Sequence, residues 1–305
     1  MTTYPDLVLP GLDGGTPLGF LATLGLARVL RDRSETPELE LAWTVRDGGW
    51  VAKLRCARRL NEGIILDALD AALAKSVADH PARLYQALQK EDRADFVAIG
   101  RGATASDRRD ADFLAAIASN LASPKATRQL QTTRRDYHLG NIESILERTR
   151  REPLRRTLFK PWDYADPLDS QSLHLDPSED RRYAYQWSEP SGDPARRKRG
   201  GMLGANRLAA EAWAWFTAWP VGDKLKTLGF TGFGVKDTRW TWPVWEPFTP
   251  PDLIPSLLAL KPLQDDPIED SDRRRLRQMG IVAVYRARRI LVGKTPNFTP
   301  ARKVA

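Results

Sequence analysis

The sequence has almost no cysteine and little histidine, and that scarcity removes whole classes of chemistry. Cys56 is the only cysteine in the 305 residues, so neither an internal disulfide nor a cysteine-rich zinc site can form. The three histidines, His80, His138 and His174, lie far apart, and no H-E-x-x-H pair is present to hold a catalytic zinc. The G-x-S-x-G nucleophile elbow, the P-loop and the G-x-G-x-x-G of a dinucleotide fold are all missing. No secretory leader or membrane span is legible: the apolar run from Leu18 to Leu30 is interrupted by Arg28 and is too short to cross a bilayer. These absences lead to the expectation of a cytoplasmic protein that is not an enzyme, with no catalytic residues, cofactor or metal.

What the chain does have is positive charge. Lys and Arg number 47 against 39 Asp and Glu, a formal charge of +8, while 42% hydrophobic residues allow a substantial core. That balance favours polyanionic partners, nucleic acid before membrane, because no amphipathic surface helix stands out.

Local pattern predicts an α+β fold, with a buried N-terminal helix packed on a β-hairpin, a helical middle, and mixed strands and helices toward the C-terminus. Thr16 and Pro17 open a helix running to about Asp32 that is apolar on nearly all faces, with Gly19, Ala22 and Gly25 permitting close backbone contact. Arg28, Arg31 and Arg33 mark its exit to solvent. Alternating residues on either side of Asp47-Gly48-Gly49 predict a hairpin, which places Cys56 on the apolar phase as a buried structural thiol. Helices are expected over 62–77, 81–90 and 107–121, with a surface loop at 99–104. His80 reads as solvated. Residues 159–180 form a long irregular stretch, and Arg182 to Trp187 reads as a strand. Arg239 to Phe248 reads as an edge strand whose tryptophans pack in the core. A short helix over 253–260, a strand over 281–290 with Arg286 and Arg288 on a cationic outer face, and a loose tail from Thr295 complete the chain. A composition shift near residue 125 divides an N-terminal α+β region, 1–125, from a basic C-terminal α+β region, 126–305; a single domain is the alternative.

Two basic stretches stand out. The first is Arg196, Arg197, Lys198 and Arg199 followed by Gly200 and Gly201, just before a helix around Leu208. A helix N-terminus with glycines and adjacent cations suits a phosphate, whereas a mobile solubilising loop is the plainer reading. The second surrounds Arg134 and Arg135, with Tyr137 and His138 beside them, in a span poor in acids that continues through Arg148, Arg150, Arg151, Arg155, Arg156 and Lys160. Arginines mixed with aromatic rings suit backbone contacts and base stacking; Asp136 pairing with a neighbouring arginine is the competing reading. Separately, Asp163, Asp166, Asp169 and Asp176 surround His174, a composition open to a divalent metal or to turn capping.

Several segments taken together resemble a known family: LPGLDGGTPLGFLATLGLARVL and its tryptophan hairpin, RRDYHLGNI, SLHLDPSEDRRYAYQWSEPSGDP, GGMLGANRLAAEA and TWPVWEP. The chain is similar, in order from Leu9 to Pro247, to the small Cas protein of type I-G (formerly I-U) CRISPR systems. That family is described both as a Cas-eight-like subunit and as an extension associated with the Cas helicase-nuclease. The resemblance implies a part in an RNA-guided antiviral effector complex (Cascade). Its partners would be target DNA near the protospacer-adjacent motif, guide RNA, other Cas subunits and the helicase-nuclease. It also makes Arg134, Arg135, Tyr137, His138, Gly200, Gly201, Asn206 and Arg207 contact residues. Asn206 and Arg207 could read adenine and guanine edges; helix capping and a surface ion pair are their alternative roles. Two other function classes stand beside this one: a metal-dependent nuclease centred on Asp163 to Asp176, and a structural adaptor with a tryptophan-rich surface.

Overall fold

A computed structural model describes residues 4–74, 98–102, 105, 108–119, 121–122, 138–166, 172–179, 200–234, 237–292 and 295–305. The expected strand at 182–187, helix at 81–90 and His80 lie outside them. The described chain is α+β.

Strand β1 (Leu7–Asp13) turns through Gly14 and Gly15 into helix α1 (Pro17–Leu30). The helix begins where the sequence says, with Gly19 N donating to Thr16 Oγ1 at 3.2 Å and Pro17 in the first turn. Strands β2 (Glu40–Arg46) and β3 (Gly49–Arg55) form the hairpin. Its turn has Asp47 at φ 50° and Gly48 at φ 81°, the left-handed pair that matches the twist of a tight hairpin. β1, which was not expected, pairs with the other edge of β3, giving an antiparallel sheet of order β1-β3-β2. Cys56 is buried just beyond it, and its thiol donates to Arg58 O at 3.2 Å.

Helices α2 (Glu62–Ala74), α3 (Arg108–Ile117), α4 (His138–Arg148) and α5 (Arg151–Phe159) supply the helical middle. Residues 98–102 are helical rather than a loop. Helix α6 (Leu203–Ala212) is buried along its whole length and packs against α1. At the crossing no side chain fits between the backbones: a Cβ on Gly25 would lie 1.8 Å from Leu208 O.

The C-terminal part adds a hairpin of β4 (Ala218–Val221) and β5 (Lys224–Thr227), then β6 (Phe230–Thr231) and β7 (Arg239–Trp245). Helices α7 (Ile254–Leu258) and α8 (Asp270–Gln278) precede β8 (Ile281–Val292), β9 (Thr295–Phe298) and β10 (Arg302–Lys303). The antiparallel sheet has order β10-β8-β7-β6, with β9 also on β8. The tail is therefore ordered, and Phe298 is buried. β7 is not a simple edge, since β8 pairs along its length and β6 pairs at Trp240 and Arg239. Thr241 N points to the β6 side, donating to Gly229 O at 3.0 Å. Pro243, two residues on, has its missing N–H on that same side, past the reach of β6.

The two sheets and α1 share one core. Phe20 of α1 lies 5.9 Å from Trp43, 5.7 Å from Trp242, 6.3 Å from Trp240 and 6.5 Å from Trp245, centroid to centroid. The indoles also satisfy backbone: Trp242 Nε1 donates to Gly14 O at 2.8 Å and Trp245 Nε1 to Leu41 O at 3.1 Å. These tryptophans are core residues, as expected. The tryptophan-rich surface that an adaptor would need is not formed among the described residues: Trp219, at 38%, is the only tryptophan exposed.

Replacing Gly25 with alanine forces α1 and α6 apart and should cost about 1–3 kcal/mol, the usual range for overpacking. Urea unfolding of G25A measures this, and an unchanged midpoint would show that the two helices are not held at this separation.

Candidate nucleic-acid interface

The N-terminus of α6, where the sequence places a phosphate, is filled by two carboxylates of the chain itself. Asp166 Oδ2 accepts from Leu203 N at 2.8 Å, and Glu179 Oε1 accepts from Met202 N at 2.7 Å. The positive helix end and its unpaired N–H groups do attract anions, but the anions are internal. Gly200 and Gly201 serve the same knot. Gly200 N donates to Tyr164 O at 2.6 Å, Gly201 and Asp166 exchange backbone bonds at 2.7 and 3.1 Å, and a Cβ on Gly200 would lie 1.7 Å from Asp166 O. The glycines admit a neighbouring strand of the chain rather than a ligand.

Asn206 and Arg207 are corrected in the same way. Asn206 is fully buried: its Oδ1 accepts from Leu173 N at 2.8 Å, and its Nδ2 donates to Glu179 Oε1 at 2.7 Å and Met202 O at 3.0 Å. Arg207, 1% exposed, donates to Glu211 Oε1 at 2.6 Å. Neither is placed to reach a base edge, because α6 is an interior helix and not a surface one.

Glu179 is the centre of the knot. Beyond Met202 N and Asn206 Nδ2, it accepts from Ser172 Oγ at 2.9 Å. Burial, aided by the negative charge of Asp176, pushes its carboxyl up to about 8, although the three donors pull the other way. Tyr164 Oη donates to Asp176 Oδ2 at 2.8 Å. Tyr164 and His174 both hold left-handed backbone, at φ 52° and 58°, a conformation the surrounding bonds impose.

Of the other expected contact residues, Arg134, Arg135, Tyr137, Arg196, Arg197, Lys198 and Arg199 lie outside the described residues, and for His138 only the backbone, which opens α4, is described. Three arginines in the described part of the second basic stretch are neutralised. Arg151 pairs with Asp67 at 2.8 Å and Asp70 at 2.5 Å, Arg155 with Glu62, and Arg156 with Asp163 at 2.5 Å and Asp166 at 2.9 Å. The span is poor in acids only along the chain; in space α2 and the segment after α5 supply them. Those pairings also occupy the carboxylates of the acidic loop. Asp163 and Asp166 go to Arg156 and Asp176 to Tyr164, while Asp169 lies outside the described residues. Among the described residues no group of three or more His, Cys, Asp or Glu is placed to hold a metal.

Exposed positive charge collects instead around β8. Arg274, Arg275 and Arg277 on α8, Arg288 on β8, and Arg302 and Lys303 on β10 are exposed. None of the six has a carboxylate partner within salt-bridge distance among the described residues. α8 packs on β8, and β10 pairs with it, Arg302 opposite Arg286 and Lys303 opposite Tyr285. Arg286 itself, expected on the outer face, is buried: it donates to Thr241 Oγ1 at 2.9 Å and Asp265 O at 2.5 Å and pairs with Asp266 at 2.7 Å. The α8 arginines were missed in the sequence, where the run Arg273-Arg274-Arg275-Leu276-Arg277 is the available signal.

A second arginine group lies inside. Glu211 of α6, its side chain 1% exposed, accepts from Arg207, from Arg109 of α3 at 3.0 Å and from Arg28 of α1 at 3.2 Å. Arg28 therefore does not mark an exit to solvent. Burial lowers the proton affinity of its guanidinium, Arg109 adds to the effect, and Glu211 opposes it.

Compared with known proteins, the chain matches no family model, no curated protein and no solved structure. Among the described residues no helix is long and apolar enough to cross a membrane.

The knot has a measurable pH signature. Unfolded, Glu179 releases its proton near the ordinary 4.5; folded, it retains it to about 8. Between those values the unfolded chain binds fewer protons, so stability falls as pH rises and levels off above 8. Urea midpoints from pH 5 to 8.5 should show this decline, and Glu179→Gln should flatten it. Equal slopes in both proteins would remove Glu179 as the cause.

Proposed function

We propose that the protein is a non-catalytic, nucleic-acid-binding subunit or accessory of a type I CRISPR effector complex, working in the cytoplasm. It would contact target DNA near the protospacer-adjacent motif or guide RNA, and help to recruit the helicase-nuclease. The complex and its members come from the sequence resemblance. The polyanion contact is supported by one structural contrast: most arginines of α1 to α6 have carboxylate partners, whereas the six cations on α8, β8 and β10 have none among the described residues. Unpartnered guanidiniums on an exposed face attract phosphates and gain by releasing their counterions. The loop cations Arg196 to Arg199 belong to the same reading, since they enter the described chain immediately before Gly200, which the knot fixes in place.

The test is binding of labelled duplex DNA, single-stranded DNA and RNA across a salt series, with magnesium present and absent and products inspected for cleavage. The wild type should bind without cleaving. The triple variant R274A/R275A/R277A should bind more weakly and reduce the slope of log K against log salt by about 2–3 on duplex, one phosphate per cation. A quadruple alanine variant at Arg196, Arg197, Lys198 and Arg199 should act in the same direction. Wild-type affinity and slope in both variants would exclude both surfaces. Magnesium-dependent products would replace the reading with a nuclease. Co-purification with another Cas subunit that survives nuclease treatment, without any binding to nucleic acid, would replace it with an adaptor.

A further inference from the structure

The hairpin of β4 and β5 presents aromatic and cationic groups to solvent on one face. Its register sets Trp219 opposite Lys226 and Val221 opposite Lys224, alternating with Pro220 and Leu225. Successive side chains of a strand point to opposite faces. The inner face carries Ala218, Leu225 and Thr227, all buried, while the outer one holds Trp219 at 38% exposed, Val221 at 44% and the two lysines. A turn at Gly222, φ 58°, closes one end of the hairpin, and Leu228 N donating to Thr217 O at 3.0 Å closes the other. The buried inner face thus fixes an outer face that leaves a large aromatic ring in water.

Each lysine lies over an aromatic ring. Lys226 Nζ is 5.6 Å from the ring centre of Trp219, and Lys224 Nζ is 5.1 Å from that of Phe233, a half-buried residue just after β6. A ring quadrupole attracts an ammonium without neutralising it. Neither lysine has a carboxylate within salt-bridge distance among the described residues, and Asp223, exposed in the turn between them and Val221, pairs with neither. Lys224 and Lys226 stand two residues apart on one strand, about 6.6 Å along it. Over that short distance the face repeats one unit twice: a flat ring beside a positive charge.

A nucleic-acid strand repeats the complementary unit, a flat base beside a negative phosphate. Bases paired inside a duplex are stacked on one another, whereas those of an unpaired strand are free to stack on aromatic side chains. The exposed cations of α8, β8 and β10 have no exposed aromatic residue beside them on those elements, so stacking falls to the hairpin. We propose that the outer face of the hairpin of β4 and β5 binds an unpaired nucleic-acid strand. Trp219 and Phe233 stack on two bases, and Lys224 and Lys226 hold the phosphates beside them. This inference rests on the proposed nucleic-acid role of the chain but assigns a separate surface and a strand without a partner.

The experiment is fluorescence anisotropy of the full chain with three labelled probes: a single strand of roughly ten nucleotides, within the usual site size, an abasic strand of the same length, and a duplex. Trp219→Ala should weaken the intact single strand by about fivefold or more, as loss of one stacked base predicts. The abasic strand, which keeps the phosphates, should bind the wild type more weakly and be indifferent to W219A. The double variant K224A/K226A should reduce the salt slope on the single strand by about 1.4, and neither variant should change duplex affinity. Should W219A fail to fold, the intact and abasic strands compared on the wild type, together with K224A/K226A, decide instead. Weaker duplex binding in R274A/R275A/R277A with unchanged single-strand binding in W219A sinks the hairpin and leaves the wider role standing. No binding to any probe removes both. An abasic strand bound as tightly as the intact one also overturns the proposal, as does a polyglutamate peptide bound as tightly as the strand, the latter in favour of an acidic protein partner.

Discussion

The crossing of α1 and α6 is the constraint on which the rest of the fold depends. Every residue of α1 except Arg28 and Val29 is buried, and α6 is buried throughout. Two helices enclosed this fully can meet only where one presents bare backbone, which Gly25 does against Leu208. With that separation fixed, Phe20 sits among four tryptophans from both sheets. The indole N–H groups of Trp242 and Trp245 then tie the C-terminal sheet to backbone carbonyls of the N-terminal part. Apolar area and polar satisfaction are supplied by the same side chains, as large buried aromatics with a polar edge allow.

A helix enclosed in this way creates an electrostatic difficulty at both of its ends. At the N-terminus of α6 the unpaired N–H groups have no water to meet, and Asp166 and Glu179 meet them instead. Near its C-terminus the buried Glu211 is balanced by arginines reaching in from α1 and α3 and from α6 itself. The two solutions differ in balance. At the first, a carboxyl with an elevated proton affinity brings its charge close to neutrality; at the second, guanidiniums pair with the carboxylate directly.

Outside the core, the placement of carboxylates decides which of the many arginines can act on a partner. Asp67 and Asp70 on α2 and Asp163 and Asp166 after α5 silence Arg151 and Arg156. The cations on α8, β8 and β10 escape that pairing, and exposed surface pairs would in any case contribute little to stability. Internal pairing thus decides which of the excess cations remain exposed without a carboxylate among the described residues.

The N-terminal helix, the hairpin and the burial of the tryptophans were legible in the sequence because each is written in adjacent residues: Thr16-Pro17, Asp47-Gly48-Gly49, the alternation along Trp240 and Trp242. Periodicity and turn chemistry are local, so a window of a dozen residues carries them. The anion-seeking end of α6 was legible too, from Gly200-Gly201 and the helix that follows, but what occupies it was not. Asp166 lies 37 residues before Leu203, and Glu179 lies 23 before Met202. The same holds for Arg28, read as an exit to solvent until α6 brings Glu211 to it across 183 residues of chain. Sequence alone determined the helices and strands with a clear local pattern and that positive charge is in excess, while β1, the helix at 98–102 and the strands of the tail were not legible in it. Only the tertiary structure decided which charges cancel, because Coulomb attraction and desolvation depend on distance and burial in space, and neither is encoded in spacing along the chain.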